Sequence, residues 1–286
     1  MNEKEIEALV SLLDDDDREV AHHVESKIYA LGGKIIPFLE SQWEKSFNPD
    51  FQKRIEDIIH QLQFDALKRK LINWRAHQSA DLLKGMCLVA TYQYPDLDYS
   101  KIKRDFEQLY HEAWVGFEGV EHPYDQVKKL NNFIFTRNKF SSNTKNFHAP
   151  ANSMINMVLE TRKGNPISLC VVYMLIAQKL KLPIYGVNLP NLFILTYKKD
   201  KTQFYINAFN KGLIFSKNDI DNYIQHLHIP TKKMFYEPCS NIDVVKRVLR
   251  NLVISFEKLS EHARADEIKT LLQAISEPGE DQFPDE

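Results

Sequence analysis

One predicted helix, beginning at Asn165, constrains the fold more than any other part of the chain. Asn165 is a typical N-cap residue, and Pro166 suits the first position of a helix. Residues 169–177 further along contain a single hydroxyl group, that of Tyr173. A helix that is apolar on nearly all of its faces is stable only in a protein interior. The rest of the chain must therefore enclose this helix.

The hydrophobic pattern changes after the buried helix. Short runs rich in β-branched and aromatic residues follow one another, separated by brief polar connections. Such short connections join antiparallel strands. We therefore predict a meander of three or four strands in residues 184–189, 193–197, 203–209 and 213–215. A buried helix packed against a small antiparallel sheet gives a mainly helical α+β fold.

The first part of the chain has a helical pattern that repeats. The acidic run at residues 14–17 is interpreted as a helix start, and the pair Gly32 and Gly33 breaks the pattern that follows. A similar series begins about 35 residues later, and Leu67 and Leu71 would lie on the second helix of a second pair. The segment resembles a pair of HEAT-type repeats.

The helical pattern returns near the end of the chain. One apolar stripe runs through residues 244–259 and another through residues 268–275, which predicts a helical hairpin. Lys246, Arg247 and Arg250 are interpreted as the solvent-facing side of its first helix.

These patterns divide the chain into four segments. We expect helical hairpins in residues 1–76, the α+β core in residues 77–238 and the second hairpin in residues 239–276. The acidic, proline-containing residues 277–286 are expected to be disordered.

Charge and cysteine content limit the classes of function. Lys and Arg number 37 against 39 Asp and Glu, so a net charge of −2 gives no general attraction to nucleic acid or to a membrane surface. No apolar run approaches the roughly 20 residues that span a bilayer. The three cysteines, Cys87, Cys170 and Cys239, are odd in number and far apart, and no signal segment opens the chain. We therefore expect reduced thiols and a cytoplasmic location.

Two groups of metal-binding residue types lack the spacing of zinc motifs. His111 and Glu112 could begin a zinc-protease helix, but no histidine follows at the required spacing. His226, His228 and Cys239 match no strong ligand pattern. We therefore expect no metal and no cofactor.

The central part of the chain is similar to a known family in the order and spacing of its motifs. The matching residues are Asn152-Ser153, Val158-Leu159, Arg162-Lys163-Gly164-Asn165-Pro166-Ile167-Ser168-Leu169, Gly186-Val187-Asn188-Leu189-Pro190, Phe193-Ile194-Leu195 and Tyr205-Ile206-Asn207-Ala208-Phe209-Asn210-Lys211-Gly212. With these motifs, residues 79–275 resemble the SirB-type branch of the transglutaminase-like superfamily. The resemblance implies a papain-like core, with a central helix against an antiparallel sheet, followed by a hairpin similar to a tetratricopeptide (TPR) unit.

The resemblance also implies where catalytic residues would lie. Active members of the superfamily use a cysteine at the start of the central helix as nucleophile, a histidine as base and an aspartate that orients the histidine. The corresponding positions here hold Ser168, Leu192 and Asn207. A serine hydroxyl needs an adjacent base, which leucine cannot supply, and an amide cannot balance an imidazolium charge. The resemblance therefore implies a protein without acyl-transfer activity.

We expect the groove around these positions to bind a peptide or small ligand, or to have become structural. Its predicted lining is polar and consists of Asn152, Asn165, Ser168, Asn188, Asn191 and Asn207. The flanking helical hairpins would offer surfaces to an unidentified protein or peptide partner.

Two alternatives stay open at this point. Cys170 could act as a relocated nucleophile with a distant histidine such as His148, giving a cysteine-dependent acyltransferase or protease. Its position lies about 200° around the helix from Ser168, and its apolar neighbours favour a buried, inert thiol. The chain could also be a scaffold in which Leu192 fills the groove, whereas a polar pocket beside Ser168 would favour ligand binding.

Overall fold

A computed structural model describes residues 3–14, 18–117 and 119–277. Most of the predicted helix start at residues 14–17 and of the predicted disordered tail lies outside these ranges. The chain divides into two units, Met1–Lys70 and Leu71–Glu286. Each unit is described separately below.

The first unit is built from helices around one apolar cluster. Its helices are α1 (Glu3–Ser11), α2 (Arg18–Leu31), α3 (Ile36–Lys45) and the first part of α4 (Pro49–His77). The predicted break after α2 is confirmed, since Gly32 has a φ of +66° that favours glycine. Buried side chains from all four helices, among them Val10, Ile28, Leu39 and Ile55, share the cluster.

The second predicted helix pair is wrong, because α4 is one continuous helix. Leu67 and Leu71, expected on a second helix, lie on the same helix as Ile55. No glycine or proline occurs between Asp50 and His77, so no residue interrupts the helical hydrogen bonds.

The second unit contains the predicted α+β core. Its helices are α5 (Leu82–Ala90), α6 (Tyr99–Trp114), α7 (Pro123–Asn131), α8 (Ile155–Thr161), α9 (Pro166–Lys179), α10 (Lys217–His226), α11 (Asn241–Lys258) and α12 (His262–Ala274). Ten of the fourteen residues of α9 are buried, which confirms the predicted central helix. The predicted hairpin is formed by α11 and α12, and the guanidinium of Arg264 on α12 lies 4.4 Å from the Phe256 ring centre on α11.

In the described part of the chain, six strands accompany these helices. A short parallel pair is formed by β1 (Ser141–Ser142), which precedes α8, and β2 (Lys163–Gly164), which comes directly before α9. The predicted meander follows α9 as β3 (Ile184–Leu189), β4 (Leu192–Lys199), β5 (Thr202–Asn207) and β6 (Leu213–Phe215), each antiparallel to the next. The third run was predicted too long, because the Asn207 Oδ1 accepts the Asn210 N–H at 3.1 Å and starts a 3₁₀ turn.

The sheet is covered on both faces. Residues 193–197 of β4 are all buried, and successive side chains of a strand point to opposite faces. Helix α9 packs across β3 and β4. Ile194 and Tyr205 pack instead with Ile220 and Ile224 of α10, which therefore covers the other face. Helix α10 was missed in the sequence because its apolar pattern is short and polar residues surround it.

Gly164 lies against the first turn of α9, and replacing it tests that close packing. A Cβ there would lie 2.4 Å from the Ser168 Oγ and 3.3 Å from the Leu169 Cγ. We predict that Gly164→Ala lowers the free energy of unfolding by about 2–4 kcal/mol, because the start of the buried helix must shift. Urea denaturation of the full chain measures the change.

Gly116→Ala is the matched control for this experiment. A Cβ at Gly116 would meet its nearest atom, the Ala113 carbonyl oxygen, at 3.4 Å. We expect a change below about 1 kcal/mol. Equal destabilisation by the two substitutions would contradict the packing described.

Candidate functional site

Side-chain hydrogen bonds hold the buried start of α9. The Asn165 Oδ1 accepts the Ser168 N–H at 3.0 Å, and the Ser168 Oγ accepts the Asn165 N–H at 3.0 Å. The Asn165 side-chain amide also donates to the Ser153 Oγ at 2.8 Å. This capping box satisfies N–H groups that have no partner within the helix. The predictions that Asn165 is the N-cap and Ser168 a hydrogen-bonding residue of the first turn are confirmed.

A cavity of about 200 Å³ opens beside this helix start. Its walls come from the first turn of α9, the turn between β3 and β4, helix α11 and the loop before α8. The apolar lining residues are Phe147, Pro166, Ile167, Phe193 and Ile254. The polar lining residues are His148, Asn165, Asn191, Arg247, Asn251 and Ser255. Among its described lining residues there is no carboxylate.

Arg247 forms part of the α11 wall and contacts the end of β3. Its Nη1 donates to the Asn188 Oδ1 at 3.0 Å and to the Leu189 carbonyl oxygen at 3.1 Å. Burial lowers the pKa of Arg247, and the nearby Arg250 lowers it further. A guanidinium nevertheless stays charged at neutral pH.

The interpretation of this helix face as solvent-facing was wrong. Arg247 is half-buried between α11 and the strand end, and Lys246 is 5% exposed. The apolar stripe of α11 identifies only one of its contact faces, because long cationic side chains can also lie against a neighbouring element. No pattern within the helix itself indicates that β3 ends beside Arg247.

Asn152 positions the loop that carries two residues of the cavity wall. Its Nδ2 donates to the carbonyl oxygens of Asn146 at 2.7 Å and Phe147 at 2.9 Å. Its Oδ1 accepts from the Asn143 side-chain amide at 2.8 Å. Asn152 is buried and holds Phe147 and the adjoining His148 in place without lining the cavity.

The structure brings only part of the predicted groove together. Asn165 and Asn191 line the cavity, and Asn188 adjoins it through its hydrogen bond with Arg247. Ser168 and Asn207 do not line it.

The three positions aligned with a catalytic triad have separate surroundings. Ser168 is 0% exposed, and its hydroxyl bonds to the Asn165 backbone. Leu192 packs with the α10 cluster on the other face of the sheet. The Asn207 side chain caps the turn after β5.

The three cysteines are free thiols, and burial raises the pKa of each one. Cys170 is fully buried, with its Sγ 3.6 Å from the Phe193 carbonyl oxygen. The candidate base for Cys170 is His148, which stacks edge-to-face on Phe147 with 5.1 Å between the ring centres. No hydrogen bond joins His148 to Cys170. A protonated, buried thiol is a poor nucleophile.

A larger cavity of about 530 Å³ lies between α6 and α8. It contains none of the residues predicted for the groove, and its charged lining consists of Asp96, Asp98, Lys101, Asp105, Glu112, Glu160 and Arg162. Within the described ranges, no group of three or more His, Cys, Asp or Glu side chains could hold a metal ion. None of the described helices is both long enough and apolar enough to cross a membrane.

The central helix and the antiparallel meander after it are consistent with an α+β transglutaminase-like fold. The model of the transglutaminase-like superfamily matches residues 100–250, which is more than half of the 286 residues. The chain therefore belongs to the transglutaminase-like superfamily.

Similar proteins occur in bacteria and in animals. A UPF0162 protein of Xylella fastidiosa (strain 9a5c) is 28% identical over 185 residues, 61% of this chain and 64% of the relative. UPF0162 protein YchA of Escherichia coli (strain K12) is 26% identical over 180 residues, 62% of this chain and 66% of the relative. F-box only protein 21 of Mus musculus is 25% identical over 162 residues, 54% of this chain and 25% of the relative. The chain thus spans less than two thirds of each of these relatives, and no solved structure matches it.

Replacing Ser168 tests its role at the helix start. Ser168→Ala leaves the buried Asn165 N–H without its acceptor. We predict a loss of about 1–3 kcal/mol in the free energy of unfolding. The control is Ser100→Ala, an exposed serine in the first turn of α6, for which we expect less than about 0.5 kcal/mol. Urea denaturation that gave the same value for both variants would contradict the capping role.

Alkylation by iodoacetamide tests the state of the thiols. We predict that Cys170 in the native protein is not labelled at pH 7 and is labelled after unfolding in urea. Burial raises the pKa of the partly exposed Cys239 from 9.0 to about 12. Its labelling rate should therefore rise about tenfold per pH unit up to pH 10 without levelling off, because the thiolate fraction stays small. Rapid native labelling of Cys170 would favour the cysteine-enzyme alternative.

Proposed function

We propose that this chain is a non-catalytic, SirB-type member of the superfamily that binds a peptide segment of a partner protein in the cavity beside α9. The observation that carries the proposal is the mixed polar and apolar cavity at the start of the central helix. Members of the superfamily that act on peptides use this end of the helix, as the resemblance implies.

The surroundings of the hydroxyl and thiol groups support a role without catalysis. The Ser168 Oγ accepts the Asn165 N–H and lies 3.2 Å from the Asn165 carbonyl oxygen, to which it donates. The single hydroxyl proton of Ser168 is therefore donated to a backbone carbonyl oxygen, and no basic side chain accepts it. The alternative nucleophile Cys170 is buried behind β4, so no observation favours the cysteine-enzyme alternative.

The cavity lining supports recognition of a peptide. Phe147 and Ile254 are large apolar side chains that are 45% and 41% exposed, and both border the cavity. The side-chain amides of Asn191 and Asn251 have no hydrogen-bond partner within the described residues, so both can bond to a ligand. A volume of about 200 Å³ suits one or two residues of a longer peptide.

Helical elements support a partner that is larger than the cavity. The α2–α3 pair is HEAT-like and the α11–α12 hairpin TPR-like in the proposed assignment, and both kinds of hairpin commonly bind proteins. The free thiols support a cytoplasmic location, where cysteines stay reduced.

Selection from a library of short random peptides on the full chain tests this function. We expect selected peptides to lose affinity about tenfold or more on Ile254→Trp, because the larger ring fills the cavity. Fluorescence anisotropy of labelled peptides measures the affinity.

The matched control is Leu259→Trp, which adds the same ring to the same hairpin outside the cavity. Leu259 is 49% exposed, close to the 41% of Ile254, so both variants should fold. If selected peptides bound the unmodified protein, Ile254→Trp and Leu259→Trp equally, peptide recognition would lie outside the cavity. Release of ammonia from a glutaminyl peptide, abolished by Cys170→Ala, would contradict a non-catalytic role.

A further inference from the structure

The wall of the α9 cavity contains an unbalanced positive charge. Arg247 borders the cavity, and no carboxylate among the described residues pairs with it. Its Nη1 is used by Asn188 and Leu189, whereas its Nε and Nη2 have no partner in the described part of the chain. These two nitrogens are not fully buried, so they can donate hydrogen bonds to a ligand in the cavity.

Two further features of the cavity favour the same sign of ligand charge. The N-terminal end of α9, at Asn165 and Pro166, contributes the positive end of the helix dipole. The amides of Asn191 and Asn251 can each donate hydrogen bonds. Because no acidic residue is among the described lining residues, an anion would meet no opposing charge there.

We infer that the cavity binds a carboxylate carried on an apolar body. The carboxylate pairs with the Nε and Nη2 of Arg247, and the apolar body lies against Phe147 and Ile254. A guanidinium edge matches the two oxygens of a carboxylate, whereas a small inorganic anion would leave the apolar wall uncovered. The inference rests on the proposed function and adds the chemical class of the bound group. A peptide can supply that group at its C-terminus or on an Asp or Glu side chain.

Binding of small probes to the full chain tests the inference directly. N-acetyl-leucine carries a carboxylate on an apolar body, N-acetyl-leucinamide is its neutral counterpart, and inorganic phosphate is an anion without an apolar body. We expect N-acetyl-leucine to bind about 10- to 100-fold more tightly than the amide, as a charge-assisted hydrogen-bonded pair requires. Chemical shift changes in the ¹⁵N-labelled protein measure the three affinities. N-acetyl-glutamic acid α-amide then shows whether a side-chain carboxylate binds as well as a terminal one.

Substitutions on α11 test whether Arg247 is responsible for the preference for the acid over the amide. Arg247→Gln should abolish the preference for the acid over the amide, and Arg247→Lys should retain part of it because one charge remains without the paired geometry. The control Lys258→Gln removes a positive charge from the end of the same helix, outside the cavity, and should leave the preference unchanged. The comparison of acid and amide needs no variant, so it decides the question even if Arg247→Gln does not fold.

Each outcome has a defined meaning. Equal binding of acid and amide, phosphate binding as tight as that of N-acetyl-leucine, or no shift with any probe would overturn the inference. The peptide selection with Ile254→Trp is independent of these probes. If selected peptides lost affinity on Ile254→Trp but kept it on Arg247→Gln, that result would support the proposed function and contradict the inference that the cavity binds a carboxylate.

Discussion

The start of α9 lies in the interior, and this placement governs the structure around it. A helix start has N–H groups without helical acceptors, and burial denies them water. The side chains of Asn165 and Ser168 accept each other's backbone N–H groups, and the Ser153 Oγ accepts a hydrogen bond from the Asn165 side-chain amide. The same placement requires Gly164, since any side chain there would meet the Ser168 hydroxyl at 2.4 Å. The cavity beside the helix start therefore has one rigid wall.

The capping box also limits what chemistry this end of the helix can perform. An activated nucleophile must be exposed to its substrate and have a base in contact. Ser168 has neither property. The residue is 0% exposed, and its hydroxyl donates its proton to the Asn165 carbonyl oxygen. Among the described residues, the side-chain amides of Asn191 and Asn251 and the Nε and Nη2 of Arg247 stay available in this region, and their positions suit holding a ligand.

Strong local patterns made much of the fold predictable. Helix α9 and the four-strand meander follow from an unbroken apolar run and from short polar turns. The continuity of α4 was missed because a repeat was inferred where the sequence has no helix breaker. The cavity was only half predictable: Asn165 and Asn191 carry turn and cap signals, whereas Arg247 depends on how α11 packs against β3. A distant pairing of that kind leaves no periodic signal in one sequence.

Helix α11 has two contacts that involve different faces. Arg247, Asn251 and Ile254 border the cavity, while Phe256 lies under the Arg264 guanidinium of α12. A displacement of α11 relative to α9 would therefore change the width of the cavity. If a protein bound on α12 changed the affinity of a ligand beside α9, the ligand would change the affinity of that protein by the same factor. The two events would then form one thermodynamic cycle joined through a single helix.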